Sequence, residues 1–218
     1  MSTPSSATIG RIAIITGIVA IVGLIFIALF YALIESGGGL FGTLNDLCVA
    51  SGGILSGVLV WVLYPMHRSY APRASRFALA SGLIGACLAP FGSGLVIFNI
   101  TGWFMAGLVT TFGYALIGLW LLELNYSALR WLEFPRGLAQ VGVVAGGVMV
   151  IGILAGPGIF AHTDAIESAQ WFVLVALYAG GLGWKILYTI WCMWLGRLLL
   201  SNSVVLQVAA TTEQSAAR

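Results

Sequence analysis

Charge is what this chain has least of. Nine Lys or Arg and seven Asp or Glu make up 7% of its 218 residues, where a water-soluble domain carries about a quarter. A solvated surface cannot be covered with so few charges. Lysine is scarcest: Lys185 is the only one. The three cysteines, Cys48, Cys87 and Cys192, fall in three separate apolar runs with no Cys-x-x-Cys pair. They read as buried free thiols rather than a disulfide framework or a thiolate metal site. The two histidines, His67 and His162, are predicted in loops on opposite faces, which argues against paired axial ligands for a haem at membrane depth. A net charge of +2 gives no basic field for nucleic acid. No catalytic, metal or nucleotide signature stands out, so no cofactor is expected.

What the chain does have is long apolar runs. Hydrophobic residues make up 60% of it and the mean hydropathy is +1.04. About 20 apolar residues cross the roughly 30 Å of bilayer hydrocarbon. Six windows qualify: Ile12–Ile34, Leu47–Met66, Phe77–Ile97, Thr101–Leu122, Leu138–Phe160 and Trp171–Leu195. The predicted fold is an all-α, polytopic bundle of six transmembrane helices. It divides into an N-terminal segment (1–11), one transmembrane domain (12–195) and a tail (196–218). Only Phe98, Asn99 and Ile100 separate the third and fourth windows, a tight helical hairpin. The first window is too long for a signal-peptide core and lacks a small-residue cleavage site, so it is expected to be retained.

The basic residues alternate in a way that orients the bundle. Arg11 precedes the first window, Arg68, Arg73 and Arg76 follow the second, Arg130 and Arg136 follow the fourth, and Arg197 and Arg218 lie in the tail. The other connections carry Glu35, Asp46, Asp164 and Glu167 but no Lys or Arg. Short loops rich in Lys and Arg stay cytoplasmic, so both termini are expected inside the cell. That requires an even number of spans, in agreement with the six counted. Trp103 and Trp171 open their windows on the outer side, while Trp61, Tyr64, Trp120, Trp191 and Trp194 lie near inner ends, where indole and phenol rings favour the interface.

Small residues recur every four positions in the third window, in the rows Ala78, Gly82, Ala86, Pro90, Gly94 and Ser81, Gly85, Ala89, Ser93. Such rows let another backbone approach closely, which makes this helix the expected centre of the bundle. Gly53 and Gly57, Gly142 and Gly146, and Gly152 and Gly156 offer the same contact elsewhere.

Lys185 is the one charge well inside a window. At that depth a lysine costs about 2.5–3.5 kcal/mol on insertion scales and often marks function. Tyr178, Gly181, Tyr188 and Cys192 share its face at helical spacing, and Gly180, Gly181 and Gly183 precede it. The candidate ligand-binding residues are therefore Lys185, Tyr178 and Tyr188, serving an anion or a proton. The plainer reading is a lysine solvated by backbone and tyrosine hydroxyls that fixes the helix's rotation. Thr43-Leu44-Asn45-Asp46 reads as a capping box, with Thr43 as cap. Glu123, Arg130, Glu133 and Arg136 form an alternating cluster read as interfacial anchoring. His162 and Asp164 are too few for a metal site. In the tail, Leu198–Leu200 and Val204–Leu206 are too short to span and suit the membrane surface, and Thr211–Arg218 is too polar to bury.

Phe134-Pro135-Arg136-Gly137-Leu138, Leu44-Asn45-Asp46 and Trp191-Cys192-Met193-Trp194-Leu195-Gly196-Arg197 resemble segments of bacterial multi-spanning membrane proteins of unassigned activity. The resemblance implies a bacterial inner (plasma) membrane location and no particular reaction. The leading expectation is a non-enzymatic binding, accessory or sensor subunit. Its expected partners are membrane lipids and either another membrane protein or further copies of itself. Small-solute or ion transport through Lys185 is the alternative. A lipid-modifying enzyme ranks last, because Glu123 has no nucleophile beside it.

Overall fold

The computed structural model describes residues 5–70, 72–130 and 134–201. Glu133 and the tail beyond Ser201, with the segments expected at Val204–Leu206 and Thr211–Arg218, lie outside the described residues. Leu198–Leu200 does not lie along a surface: it continues the last helix, and Leu199 and Leu200 pack against Gly10 of the first. Among the described residues the regular structure is all helical. Six helices are long and apolar enough to cross a membrane: α1 Ser6–Ala32, α2 Gly39–Tyr70, α3 Pro72–Ile97, α4 Trp103–Ala128, α5 Arg136–Phe160 and α6 Trp171–Ser201.

Each boundary has a local cause. Ser5 caps α1, its hydroxyl accepting the Thr8 N–H at 3.2 Å, the usual remedy for an orphan first-turn donor. After α1 the chain turns through Gly37 at φ 97°, and the Gly38 N–H returns to the Leu33 carbonyl at 2.9 Å. A side chain at that φ would be strained, which is why glycine stands there. The α3–α4 hairpin turns on Asn99 at φ 53°, one of the few side chains that tolerate the left-handed region. α5 tightens into a 3-10 turn at Ile151–Ala155 just before Pro157, whose ring removes one backbone donor. α6 widens into a π turn at Gly183–Leu187.

Neighbouring helices run antiparallel, and close glycine contacts show the register. Gly53 meets Ala89 and Pro90, and Gly57 meets Ala86, so α2 descends as α3 climbs. Gly85 and Gly92 of α3 lie against Gly113 and Thr110 of α4, Gly118 of α4 against Gly146 and Met149 of α5, and Gly152 of α5 against Gly180 of α6. Gly10 and Gly17 of α1 then meet Gly196 and Met193 of α6. The start of α1 and the end of α6 therefore share one rim with Arg68, Arg130 and Arg136, while Glu35 and Glu167 belong to the other.

The small-residue rows of α3 do pack as expected, but the centre of the bundle is α4. Two thirds of its most apolar stretch is buried (67%), against 39% for α3. The reason is that small residues mark where a helix is approached, not how many neighbours surround it. α3 spends its rows on α2 and α4 and leaves Phe77, Ile84 and Phe91 outward. Several local expectations change as well. α2 begins at Gly39, so Thr43 is not a cap; its hydroxyl bonds back to the Gly39 carbonyl at 3.3 Å. His67 is in the last turns of α2, not a loop, and is buried. Trp120 and Trp191 are buried in an edge-to-face pair, ring centres 6.1 Å apart, rather than placed at an interface. Cys87 is exposed rather than buried.

Candidate functional site

Polar side chains inside the bundle gather where α2, α4 and α6 meet. Lys185 lies one residue short of the middle of α6, and a helical side chain leans toward the helix N-terminus. Its ammonium thus reaches toward the start of α2 and donates to Asn45 Oδ1 at 3.2 Å. Asn45 Nδ2 in turn donates to Asp46 Oδ1 at 3.2 Å. The carboxylate is joined to the cation through an amide, in the order Lys185, Asn45, Asp46. The ammonium also sits 4.5 Å from the Trp184 ring centre, a favourable cation–π position.

The π turn decides which neighbours Lys185 keeps. One extra residue in the turn rotates all that follows, so the single stripe expected from Tyr178 to Cys192 is split. Tyr178 is 64% exposed on the outer face of α6, whereas Tyr188 is buried. The Tyr188 hydroxyl donates to Ser56 Oγ at 3.1 Å, and Ser56 donates to the Gly52 carbonyl at 2.7 Å. Neither tyrosine hydroxyl bonds to Lys185. Tyr114 of α4 stacks on Trp184, 4.2 Å between ring centres, and donates to the Val49 carbonyl at 2.8 Å. Tyr114, Trp184 and Tyr188, with Thr16, Gly52 and Cys192, line a cavity of about 10 Å³, room for one water at most.

Two further polar contacts tie the same helices together nearer the arginine-bearing rim. Trp191 Nε1 donates to Asn125 Oδ1 at 3.0 Å, and Asn125 Nδ2 donates to the Leu121 carbonyl at 2.8 Å. Gly142 of α5 leaves the space that Asn125 fills. His67 Nε2 lies 2.5 Å from Glu123 Oε2, and Ser127 donates to the other carboxylate oxygen at 2.9 Å. Glu123, partly exposed, therefore faces His67 of α2. Asn45, Asn125 and the His67–Glu123 pair were not legible as partners, because residues far apart in sequence supply each contact.

A lateral concavity opens on the side of the bundle. A groove of about 810 Å³ runs along α6 beside α1. Ile21 and Leu24 form one wall; Ile186, Ile190, Met193 and Trp194 form the other. Lys185 stands at one end, with Arg197 and Ser201 at the other. A pocket of about 360 Å³ at the opposite rim is lined in part by His162, Ser168 and Gln170. Among the described residues no group of three or more His, Cys, Asp or Glu is placed to hold a metal ion.

Fold and site together define a class: among the described residues, a helical bundle with six membrane-length helices, a closely packed centre and a side-facing groove. Comparison with protein-family models, curated proteins and solved structures found no match for this chain.

Proposed function

We propose that this protein is a non-enzymatic binding or accessory subunit of the bacterial inner membrane, oriented with its arginine-bearing rim toward the cytoplasm. It takes its ligand from within the plane of the membrane. The observation that carries this reading is the groove between α1 and α6, open at the side of the bundle and bounded by Lys185 at mid-helix. Binding sites are concave, mostly apolar and furnished with a few placed polar groups; this groove has that make-up. The cavity among Tyr114, Trp184 and Tyr188 inside the bundle is far smaller, about 10 Å³. The reading is tested with a photoreactive benzophenone amino acid at Ile190 in the groove and, as control, at Ile84 on the exposed face of α3. A discrete, saturable adduct is expected from Ile190 alone. The same indiscriminate labelling from both positions overturns the reading.

Small-solute or ion transport is the second reading, favoured by the π turn that contains Lys185. Such turns inside helices are frequent at functional sites, and a widened turn at mid-helix is a place where α6 can change its register.

A further inference from the structure

We infer that the groove between α1 and α6 is a site for one anionic phospholipid of the leaflet at the arginine-bearing rim, its phosphate held by Arg197 and Arg11. This rests on the reading of the groove as a binding site and names its occupant.

Charge is concentrated at the rim of the groove. Gly10 of α1 and Gly196 of α6 cross in backbone contact, a Cβ on Gly196 falling 2.8 Å from the Gly10 carbonyl. Arg11 and Arg197 follow these two glycines directly, and both are exposed. The two arginines thus stand one residue beyond a single helix crossing, and Arg197 lines the groove. The first turn of α1 holds no acid, and no carboxylate is among the residues lining the groove. Planar guanidinium forks suit phosphate oxygens, and paired cations at a membrane rim attract anionic headgroups.

The groove also has the length of one leaflet. Arg197 and Lys185 are twelve positions apart on α6, about 18 Å at helical rise. One leaflet's hydrocarbon is about 15 Å deep. An acyl chain whose headgroup meets Arg197 therefore runs the length of the groove past Met193 and Ile190. It ends against the methylene stem of Lys185, whose ammonium is directed away to Asn45. A transmembrane helix seated in the groove would instead set its apolar side chains against both guanidiniums.

An indole marks the same rim. Trp194 lines the groove one turn from Arg197 and remains exposed, at the level where an indole prefers the headgroup boundary.

The test uses the full chain, purified in mild detergent, delipidated, and titrated separately with phosphatidylglycerol, phosphatidylcholine and glycerol phosphate under native mass spectrometry. One phosphatidylglycerol is expected to bind, at least fivefold above phosphatidylcholine, with no glycerol phosphate retained. Arg197→Gln is expected to lower phosphatidylglycerol occupancy at least fivefold, while Arg76→Gln, at the same rim on α3, leaves it unchanged. Ile190→Trp, an exposed position where added bulk fills the groove, gives a second loss that spares the headgroup contacts. Equal binding by wild type and Arg197→Gln, or equal loss in Arg76→Gln, overturns the inference. So does an Ile190 benzophenone adduct on residues 202–218, on a second copy or on another protein, although the groove then stands as a binding site. Retention of glycerol phosphate alone shows an anion site without a lipid and also overturns it.

Discussion

At the scale of single residues, the contact between Lys185 and Asn45 is asymmetric in its consequences. Removing the cation leaves a neutral amide with one acceptor unpaired. Removing the amide leaves a charge at mid-helix without its hydrogen bond. Hydrogen bonds to charged groups contribute about 1.5–3 kcal/mol, and the lysine itself costs about 2.5–3.5 kcal/mol to insert. Lys185→Met is therefore expected to insert normally and unfold within about 1 kcal/mol of wild type. Asn45→Leu should lose about 2 kcal/mol, and the double variant should recover most of that. Reversible unfolding in mixed micelles, followed by helical circular dichroism, measures all three; an Asn45→Leu protein as stable as wild type contradicts the assignment. The same Lys185→Met protein in liposomes separates the two functional readings. Loss of solute uptake supports transport, and unchanged uptake leaves the lateral binding site. Asn45 was hidden in the sequence by a boundary. If Thr43 capped α2, as the capping box suggests, Asn45 and Asp46 would fall in its first turn, near the rim. With α2 beginning at Gly39 they lie more than a turn inside it, within reach of a lysine that leans toward them.

At the scale of elements, small residues fix helix separation, and their spacing is legible in the amino-acid sequence. The rows on α3 follow from the four-residue repeat alone. What they press against does not, because the same repeat suits any neighbour. Gly85 shows how tight the result is, since an added Cβ would overlap the Gly113 carbonyl. Neither backbone can withdraw without parting α3 from α4. A Cβ added at Gly94, in the companion row, would meet nothing within 4 Å. Gly85→Val is expected to destabilise by at least about 3 kcal/mol, in the range of severe overpacking. Gly94→Ala should be neutral or gain up to about 1 kcal/mol from helix propensity. Comparing thermal unfolding of the two proteins in one detergent checks the pair, and similar losses at both sites would contradict the α3–α4 register. The π turn in α6 was the feature least open to prediction. Gly180, Gly181 and Gly183 mark a weak stretch of helix, but they do not say whether it bends, unwinds or widens. That one extra residue is what sends Tyr178 outward and Tyr188 inward.

At the scale of the whole molecule, alternation of charge and alternation of helix direction are independent facts that agree. Arginine spacing is a property of the sequence. The antiparallel order comes from glycine contacts, in which residue numbers on one helix rise as those on the next fall. Together they place Arg11, Arg68, Arg130, Arg136 and Arg197 at one rim and Glu35 and Glu167 at the other. Short loops follow their Lys and Arg content because moving such charges outward across the membrane is opposed, whereas Asp and Glu contribute little. The orientation proposed here therefore depends on arginine alone and can be read from outside intact cells. The probe sites should be exposed and free of strained backbone: Leu40 at the start of α2 and Ser201 at the end of α6 both qualify. Gly38, although in a loop, does not, because a side chain there would meet the Phe30 carbonyl at 2.8 Å. In a background with Cys48, Cys87 and Cys192 replaced, Leu40→Cys is expected to react with a membrane-impermeant maleimide in whole cells. Ser201→Cys is expected to react only after the membrane is opened. Changing Arg68, Arg73 and Arg76 together to Gln weakens the cytoplasmic bias of the connection between α2 and α3, and should bring a fraction of Leu40→Cys molecules into the protected state. Labelling of Ser201→Cys in sealed cells, with Leu40→Cys protected, would invert the bundle and put the proposed lipid site in the outer leaflet.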